Sequence, residues 1–181
     1  PVVMFSSYTQ EGSRFTLKAL ELGAVDFVPK PLGRLALTLA HVKKELIEKV
    51  RTAAAVDHRK LKNRVVSQVA SKNARPGKKK DWLKEAGNEL KKIVVIGSST
   101  GGPSPLATLF TEIPADLPAG FIVVQHMPAG FTKSLAERLD SLSPMRVKEA
   151  EEKDRLRPGL VLVAPGDYHL QVGRLSVIHL F

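Results

Sequence analysis

A serine in a turn of small residues is the first side chain in this sequence that could do chemistry. Ser99 lies in Gly97–Gly101, which fits G-x-S-x-G directly after a predicted strand and before a predicted helix. Such a turn can expose a nucleophilic hydroxyl, and the amides of Thr100, Gly101 and Gly102 open the next helix, where they favour developing negative charge. Two other interpretations stay open here. One is a phosphate-binding turn, although neither common phosphate-loop pattern is present, and the other is a plain turn capped by serine.

A histidine supplies the second candidate group. His126 stands 27 residues after Ser99, at the end of the next apolar run. A lone histidine is more often structural, but two parallel strands joined by a helix end at the same edge of a sheet. That placement predicts a hydroxyl nucleophile beside an imidazole base. Because no acid stands between them at a strand end, the α/β-hydrolase order of serine, acid and histidine does not fit. We therefore expect another fold, with the orienting acid after His126.

No third catalytic group or metal site emerges from the remaining polar residues. We expect the three later aspartates to be structural. Asp140 lies on the polar side of a helix, Asp154 in a cluster of charged residues and Asp167 in a turn. The other histidines are scattered without ligand spacing: His41, His58, His169 and His179. The chain has no cysteine, which excludes a disulfide scaffold, a cysteine-ligated metal and a cysteine nucleophile, and fits an intracellular setting. The sequence therefore predicts no metal site.

Alternating strands and helices must position these groups. Before the basic centre of the chain, the apolar pattern predicts strand 2–5, helix 11–22, strand 24–28 and helix 35–50. After it, the pattern predicts strand 92–96, a helix that has Pro103 in its first turn and runs to 113, strand 121–125 and helix 131–142, then hairpin strands at 160–163, 169–172 and 175–180. The fold class is therefore α/β, with two doubly wound, mostly parallel pieces and a hairpin.

The excess positive charge of the chain is concentrated between these two pieces. The 181 residues carry a net charge of +10, and residues 43–92 alone account for all of it. We predict an interdomain linker at 53–91, between pieces at 1–52 and 92–181. The alternative is a nucleic-acid-binding regulator that uses this basic segment. No apolar run is long enough for a membrane span and no leader is visible, while a start at Pro1 inside an apolar run predicts a fragment.

Three spaced motifs resemble one family. Residues 96–103, 125–132 and 163–170 are similar to the first part of the catalytic domain of the chemotaxis protein-glutamate methylesterase (CheB) family. Residues 1–31 resemble the second half of a response-regulator receiver domain, in which Ser6 matches the signalling hydroxyl residue and Lys30-Pro31 the Lys-Pro pair. Receiver, linker and esterase follow one another in that family. The resemblance implies that Ser99 is the nucleophile and His126 the base, and Ser98 replaces a common alanine.

The resemblance also implies activity, partners and regulation. The expected enzyme is a phosphorylation-regulated, cytoplasmic serine esterase that hydrolyses glutamate methyl esters and deamidates certain glutamines on methyl-accepting chemotaxis receptors. The expected partners are those receptors and, through the receiver, a chemotaxis histidine kinase, with no nucleic acid. Catalysis needs no cofactor, while the intact receiver holds Mg²⁺ through residues expected before Pro1. The triad aspartate is expected beyond Phe181, so the fragment is expected to be inactive alone.

Overall fold

The computed structural model describes residues 1–7, 9–30, 36–56 and 89–181. These residues fall into two units, Pro1–Ala74 and Arg75–Phe181. Most of the predicted linker, residues 57–88, lies outside the described residues, and the predicted domain boundaries stay a prediction. None of the described helices combines the length and hydrophobicity that crossing a bilayer requires.

The first unit contains two parallel strands and two helices in the predicted order. They are β1 (Val3–Ser6), α1 (Gln10–Glu21), β2 (Asp26–Pro29) and α2 (Ala36–Ala54). Helix α1 begins after Thr9, whose hydroxyl accepts a hydrogen bond from the Gly12 amide at 2.9 Å, because an N-cap hydroxyl satisfies a free amide of the first turn. The two strands run in register, with Ser6 opposite Pro29. Their carboxyl ends therefore lie side by side.

The second unit is built on a parallel sheet. Its elements are β3 (Lys92–Ser98), α3 (Pro103–Glu112), β4 (Ala119–Gln125), α4 (Phe131–Leu142), β5 (Arg146–Glu149), β6 (Leu160–Val163), β7 (Leu170–Val172) and β8 (Ile178–Leu180). The first four strands form one sheet in the order β3-β4-β6-β5, and every pairing in it is parallel. The mixed α/β class with a mostly parallel sheet is confirmed.

One predicted strand has a different partner from the expected one. The sequence predicts Leu160–Val163 as part of a hairpin, but these residues form β6, a parallel strand between β4 and β5. All four of its residues are buried, and a continuous apolar run is typical of a strand that is covered on both faces. The hairpin consists of β7 and β8 alone, which pair antiparallel around a tight turn at Arg174–Ser176.

The core of this unit lies between the sheet and its helices. Phe110 of α3 is fully buried and packs edge-on against Phe121 of β4, with ring centres 5.9 Å apart. On α4, Phe131, Leu135 and Leu139 form the buried stripe that the helical period predicts. Strand β4 is almost entirely buried, whereas β3 is mostly exposed along its length. The buried residues of α3, α4 and β4 thus pack together and hold the ends of the strands in place.

Candidate active site

The two parallel strands β3 and β4 end side by side at the predicted site. Their register places Ser98 opposite Gln125, so the next residues, Ser99 and His126, leave the sheet at the same edge. The His126 amide continues the ladder by donating to the Ser98 carbonyl at 2.9 Å. Ser99 and His126 therefore lie at one edge of the sheet, as the pattern of strands and helices predicts.

The hydroxyl and the imidazole face each other across this edge. Ser99 Oγ lies 3.4 Å from His126 Nδ1, and both residues are exposed. This separation is longer than an ideal hydrogen bond, as is common for catalytic pairs before substrate tightens them. For Nδ1 to accept the serine proton, the neutral ring must carry its own proton on Nε2. The geometry thus specifies both the pair and the tautomer it needs.

The turn after Ser99 is a close β-turn that depends on a glycine. The Gly102 amide donates to the Ser99 carbonyl at 2.9 Å, which closes residues 99–102 into a turn. Gly101, at its third position, has a φ of 74°, the left-handed value that this position of a type II turn requires. Helix α3 starts directly afterwards, with Pro103 in its first turn as predicted.

This turn changes the set of expected oxyanion donors. The sequence predicts the amides of Thr100, Gly101 and Gly102, but the Gly102 amide is already occupied by the Ser99 carbonyl. The Gly102 amide is therefore not free in this structure, and the role of the three residues stays a prediction. Among the described residues, the Thr100 and Gly101 amides have no hydrogen-bond acceptor. These two amides are available to a developing negative charge at the start of α3.

A buried glutamine, which the sequence analysis did not single out, ties the two strand ends together. Gln125 is only 6% exposed, and its Oε1 accepts from the Ser98 hydroxyl at 2.5 Å. Its Nε2 donates to the Ser99 carbonyl at 2.8 Å and to the His126 carbonyl at 3.4 Å. In the sequence, Gln125 stands out only as a polar residue at the end of an otherwise apolar strand.

The three later aspartates make structural contacts or lie on an exposed turn. Asp140 accepts from the Val147 amide at 2.8 Å, and Asp154 accepts from Lys148 Nζ at 3.1 Å. Burial opposes a charged Lys148, but hydrogen bonds with Asp154 and its neighbour Glu151 outweigh it and raise the lysine pKa. Asp167 is exposed with a φ of 68°. In the described part of the chain, no three histidine or acidic side chains are grouped as a metal site requires.

The predicted signalling residues of the first unit lie at adjacent strand ends. Ser6 is 9% exposed and its hydroxyl donates to the Gly12 carbonyl at 3.1 Å. Lys30 follows β2, its amide donates to the Ser6 carbonyl at 2.6 Å, and its ammonium lies 5.9 Å from the centre of the Phe5 ring. Pro31 lies outside the described residues. The structure brings Ser6 and Lys30 together, and their signalling role stays a prediction.

Comparisons with known proteins point to one family. Residues 94–180 match the family model described as CheB methylesterase. A protein-glutamate methylesterase/protein-glutamine glutaminase of Syntrophomonas wolfei is 48% identical over 94% of this chain and 47% of that protein. A protein of the same name from Archaeoglobus fulgidus is 49% identical over 97% of this chain and 48% of its own length. The chain thus spans about half the length of the curated relatives it matches.

A solved structure is similar in sequence as well. The crystal structure of the Thermotoga maritima CheB methylesterase catalytic domain is 54% identical, covering 50% of this chain and 48% of that chain, with a TM-score of 0.46. Nothing in the comparisons supports the nucleic-acid alternative, and most of the basic segment lies outside the described residues.

Proposed function

We propose that this chain, whose residues 94–180 match the CheB methylesterase family model, is part of a serine esterase that hydrolyses glutamate methyl esters on chemotaxis receptors. The observation that carries the proposal is the 3.4 Å approach of Ser99 Oγ to His126 Nδ1 at the end of two parallel strands. The names of the two curated relatives support both an ester and an amide substrate. We therefore include deamidation of receptor glutamines in the proposed activity.

The proposed reaction uses a covalent intermediate. His126 Nδ1 takes the proton of Ser99 as Oγ attacks the ester carbonyl, and the amides of Thr100 and Gly101 stabilise the oxyanion. The imidazolium then protonates the departing methoxide, which leaves as methanol. Water, deprotonated by the same imidazole, hydrolyses the acyl-enzyme to release glutamate and regenerate Ser99. With a glutamine substrate the same steps release ammonia. None of these steps calls for a metal.

The third group of the reaction is an acceptor for the proton on His126 Nε2. The resemblance assigns this role to an aspartate beyond Phe181, and none of the described aspartates contacts the ring by a hydrogen bond. An acid at Nε2 would hold the tautomer that lets Nδ1 accept from Ser99. We propose that the complete natural protein, rather than this chain alone, is the active form.

The first unit fits a regulatory role. We propose that residues 1–52 are part of a phosphorylatable receiver, with Ser6 and Lys30 as its signalling pair. One observation that supports the proposal is the approach of the Lys30 amide to the Ser6 carbonyl at the ends of β1 and β2. The other is that the relatives from Syntrophomonas wolfei and Archaeoglobus fulgidus align over 94% and 97% of the chain, and so over both units. A histidine kinase partner, Mg²⁺ in the receiver and a cytoplasmic location follow as predictions.

The proposed activity can be tested in the complete natural protein. Methanol release from methylated receptor is measured for the parent, for Ser99→Ala and for Ser141→Ala, which removes an exposed hydroxyl from α4. We expect the Ser99 variant to lose at least about 1,000-fold in rate, because removing a catalytic nucleophile leaves only oxyanion and binding effects. The Ser141 variant should keep the parent rate. Normal methanol release by Ser99→Ala would refute the assignment.

A further inference from the structure

The hydrogen bonds of Gln125 have a fixed direction. Backbone carbonyls only accept, so the two carbonyls beside this side chain, those of Ser99 and His126, require its amide nitrogen. The Ser98 hydroxyl can donate, and it does so to Oε1 on the other side. If the amide were flipped, its oxygen would face two carbonyl oxygens. The Ser98–Gln125 pair therefore has only one fully satisfied arrangement.

This arrangement links the nucleophile to the base through the backbone. One Nε2 bond reaches the carbonyl of the residue that carries the hydroxyl, and the other reaches the carbonyl of the residue that carries the imidazole. Gly102 leaves room for the side chain, because a Cβ at that position would collide with Gln125 Oε1 and lie 2.9 Å from Ser98 Oγ. Both the space beside Gly102 and the two carbonyls that accept from Nε2 suit a glutamine at position 125.

We propose that Gln125 and Ser98 are positioning residues that set the distance between the Ser99 hydroxyl and the His126 imidazole. The proposal rests on the proposed esterase function and deepens it. Neither side chain touches the reacting atoms. Both act through the backbone of the two strand ends. The resemblance leads one to expect alanine at position 98, and the serine found there differs from it by a hydroxyl that donates to Gln125 Oε1.

The first test compares rates in the complete natural protein. Gln125→Leu keeps the approximate size of the side chain and removes all of its hydrogen bonds. We expect kcat to fall by about 10- to 100-fold with KM nearly unchanged, because a misplacement on the order of 1 Å has effects of this size. Ser98→Ala should lower kcat by about 3- to 10-fold, since the loss of one half-buried donor has a smaller effect. The double variant should be no slower than Gln125→Leu alone, because the two residues act as one unit.

The second test uses pH as a signature of positioning. Gln125→Glu keeps the shape, but an ionised carboxylate would face the Ser99 and His126 carbonyl oxygens. A protonated carboxyl can donate to one of them, so these contacts favour the neutral form. The ratio of variant to parent kcat should therefore rise by about fivefold between pH 8 and pH 6, as protonation restores one donor. Dividing by the parent kcat at each pH removes the pH dependence that the two proteins share. A purely structural role predicts a flat ratio.

The outcomes separate this proposal from the function on which it rests. If Ser99→Ala keeps its activity, the esterase assignment itself fails. If Ser99→Ala is inactive while Gln125→Leu keeps the parent kcat, the positioning proposal is overturned and the esterase stands. Melting temperatures are measured for all variants. Should Gln125→Leu fail to fold, Ser98→Ala and the pH ratio of Gln125→Glu decide the matter, and a parent-like kcat together with a flat ratio overturns the proposal.

Discussion

Replacing Gly166 by alanine should both destabilise the catalytic unit and slow the reaction, because this glycine packs against the loop that follows His126. Gly166 is buried, and a Cβ built on it would lie 2.5 Å from the Pro128 carbonyl carbon and 2.7 Å from the Met127 oxygen, and would also collide with the Ala129 amide. All three of these atoms belong to the backbone. They cannot turn aside as the end of a flexible side chain can.

The size of the effect follows from these distances. Ordinary contact begins at 3.4 Å, so the approach to Pro128 is too short by about 0.9 Å. The φ of Gly166 is outside the left-handed region, and the cost is therefore steric alone. Overpacking of this kind destabilises by about 1–3 kcal/mol, which corresponds to a melting temperature lower by roughly 2–12 °C. A shift of the His126 loop by nearly 1 Å should lower kcat by about 10- to 100-fold.

The assay combines thermal unfolding with methanol release by the complete natural protein. Gly97→Ala serves as the matched control for stability, because a Cβ there meets no described atom within 4 Å. We expect its melting temperature to stay within about 2 °C of the parent, as for substitutions that create no clash. A Gly166→Ala protein with both the melting temperature and the kcat of the parent would show that the loop does not hold His126 in place.

Two further predictions concern the β7–β8 hairpin. Leu175 and Ser176 have φ values of 55° and 58°, which a type I′ turn requires and which Asn-Gly adopts more readily, so Leu175→Asn with Ser176→Gly should stabilise by about 1 kcal/mol. Thermal unfolding measures this, and an unchanged or lower melting temperature contradicts it. The Leu180 amide, and then the His179 side chain, lower the pKa of Glu152 below its ordinary value of 4.5. Its carboxylate thus stabilises the fold above that pH and loses this effect as the pH falls through the lowered pKa. The difference in melting temperature between parent and Glu152→Gln should be present at pH 7 and vanish in acid, and a constant difference would contradict the reasoning.

The sequence is sufficient for most of the site and for the strands that carry it. The apolar runs before Ser99 and His126 predict both strands, and the helical period between them predicts a parallel pair with a shared edge. Strand β5, Arg146–Glu149, escapes prediction because Val147 is its only apolar residue, so neither alternation nor a run marks it. Residues 160–163 show the continuous apolar run of a central parallel strand, but the turn residues that follow suggest a hairpin.

The remaining parts of the site could not be predicted because they depend on contacts between strands. The sequence shows Ser98 and Gln125 as two polar residues 27 positions apart. Only the register of β3 against β4 places one opposite the other. In the same way, the Gly102 amide counts as a free helix-start donor until the turn that uses it is known. Local patterns thus identify the elements, while hydrogen bonding across them decides which groups are available.

The register of β3 against β4 has a consequence for which insertions and deletions the gene can tolerate. One residue added to or lost from either strand would move Ser99 past His126 by about 3.3 Å and turn every later side chain of that strand to the opposite face. A change in the connection 113–117, which ends before the Pro118 carbonyl accepts from the Lys91 and Lys92 amides, leaves the register of the two strands unchanged and has only a small entropic cost. Length variation in natural and laboratory-evolved forms should therefore accumulate in that connection and be absent from the two strands.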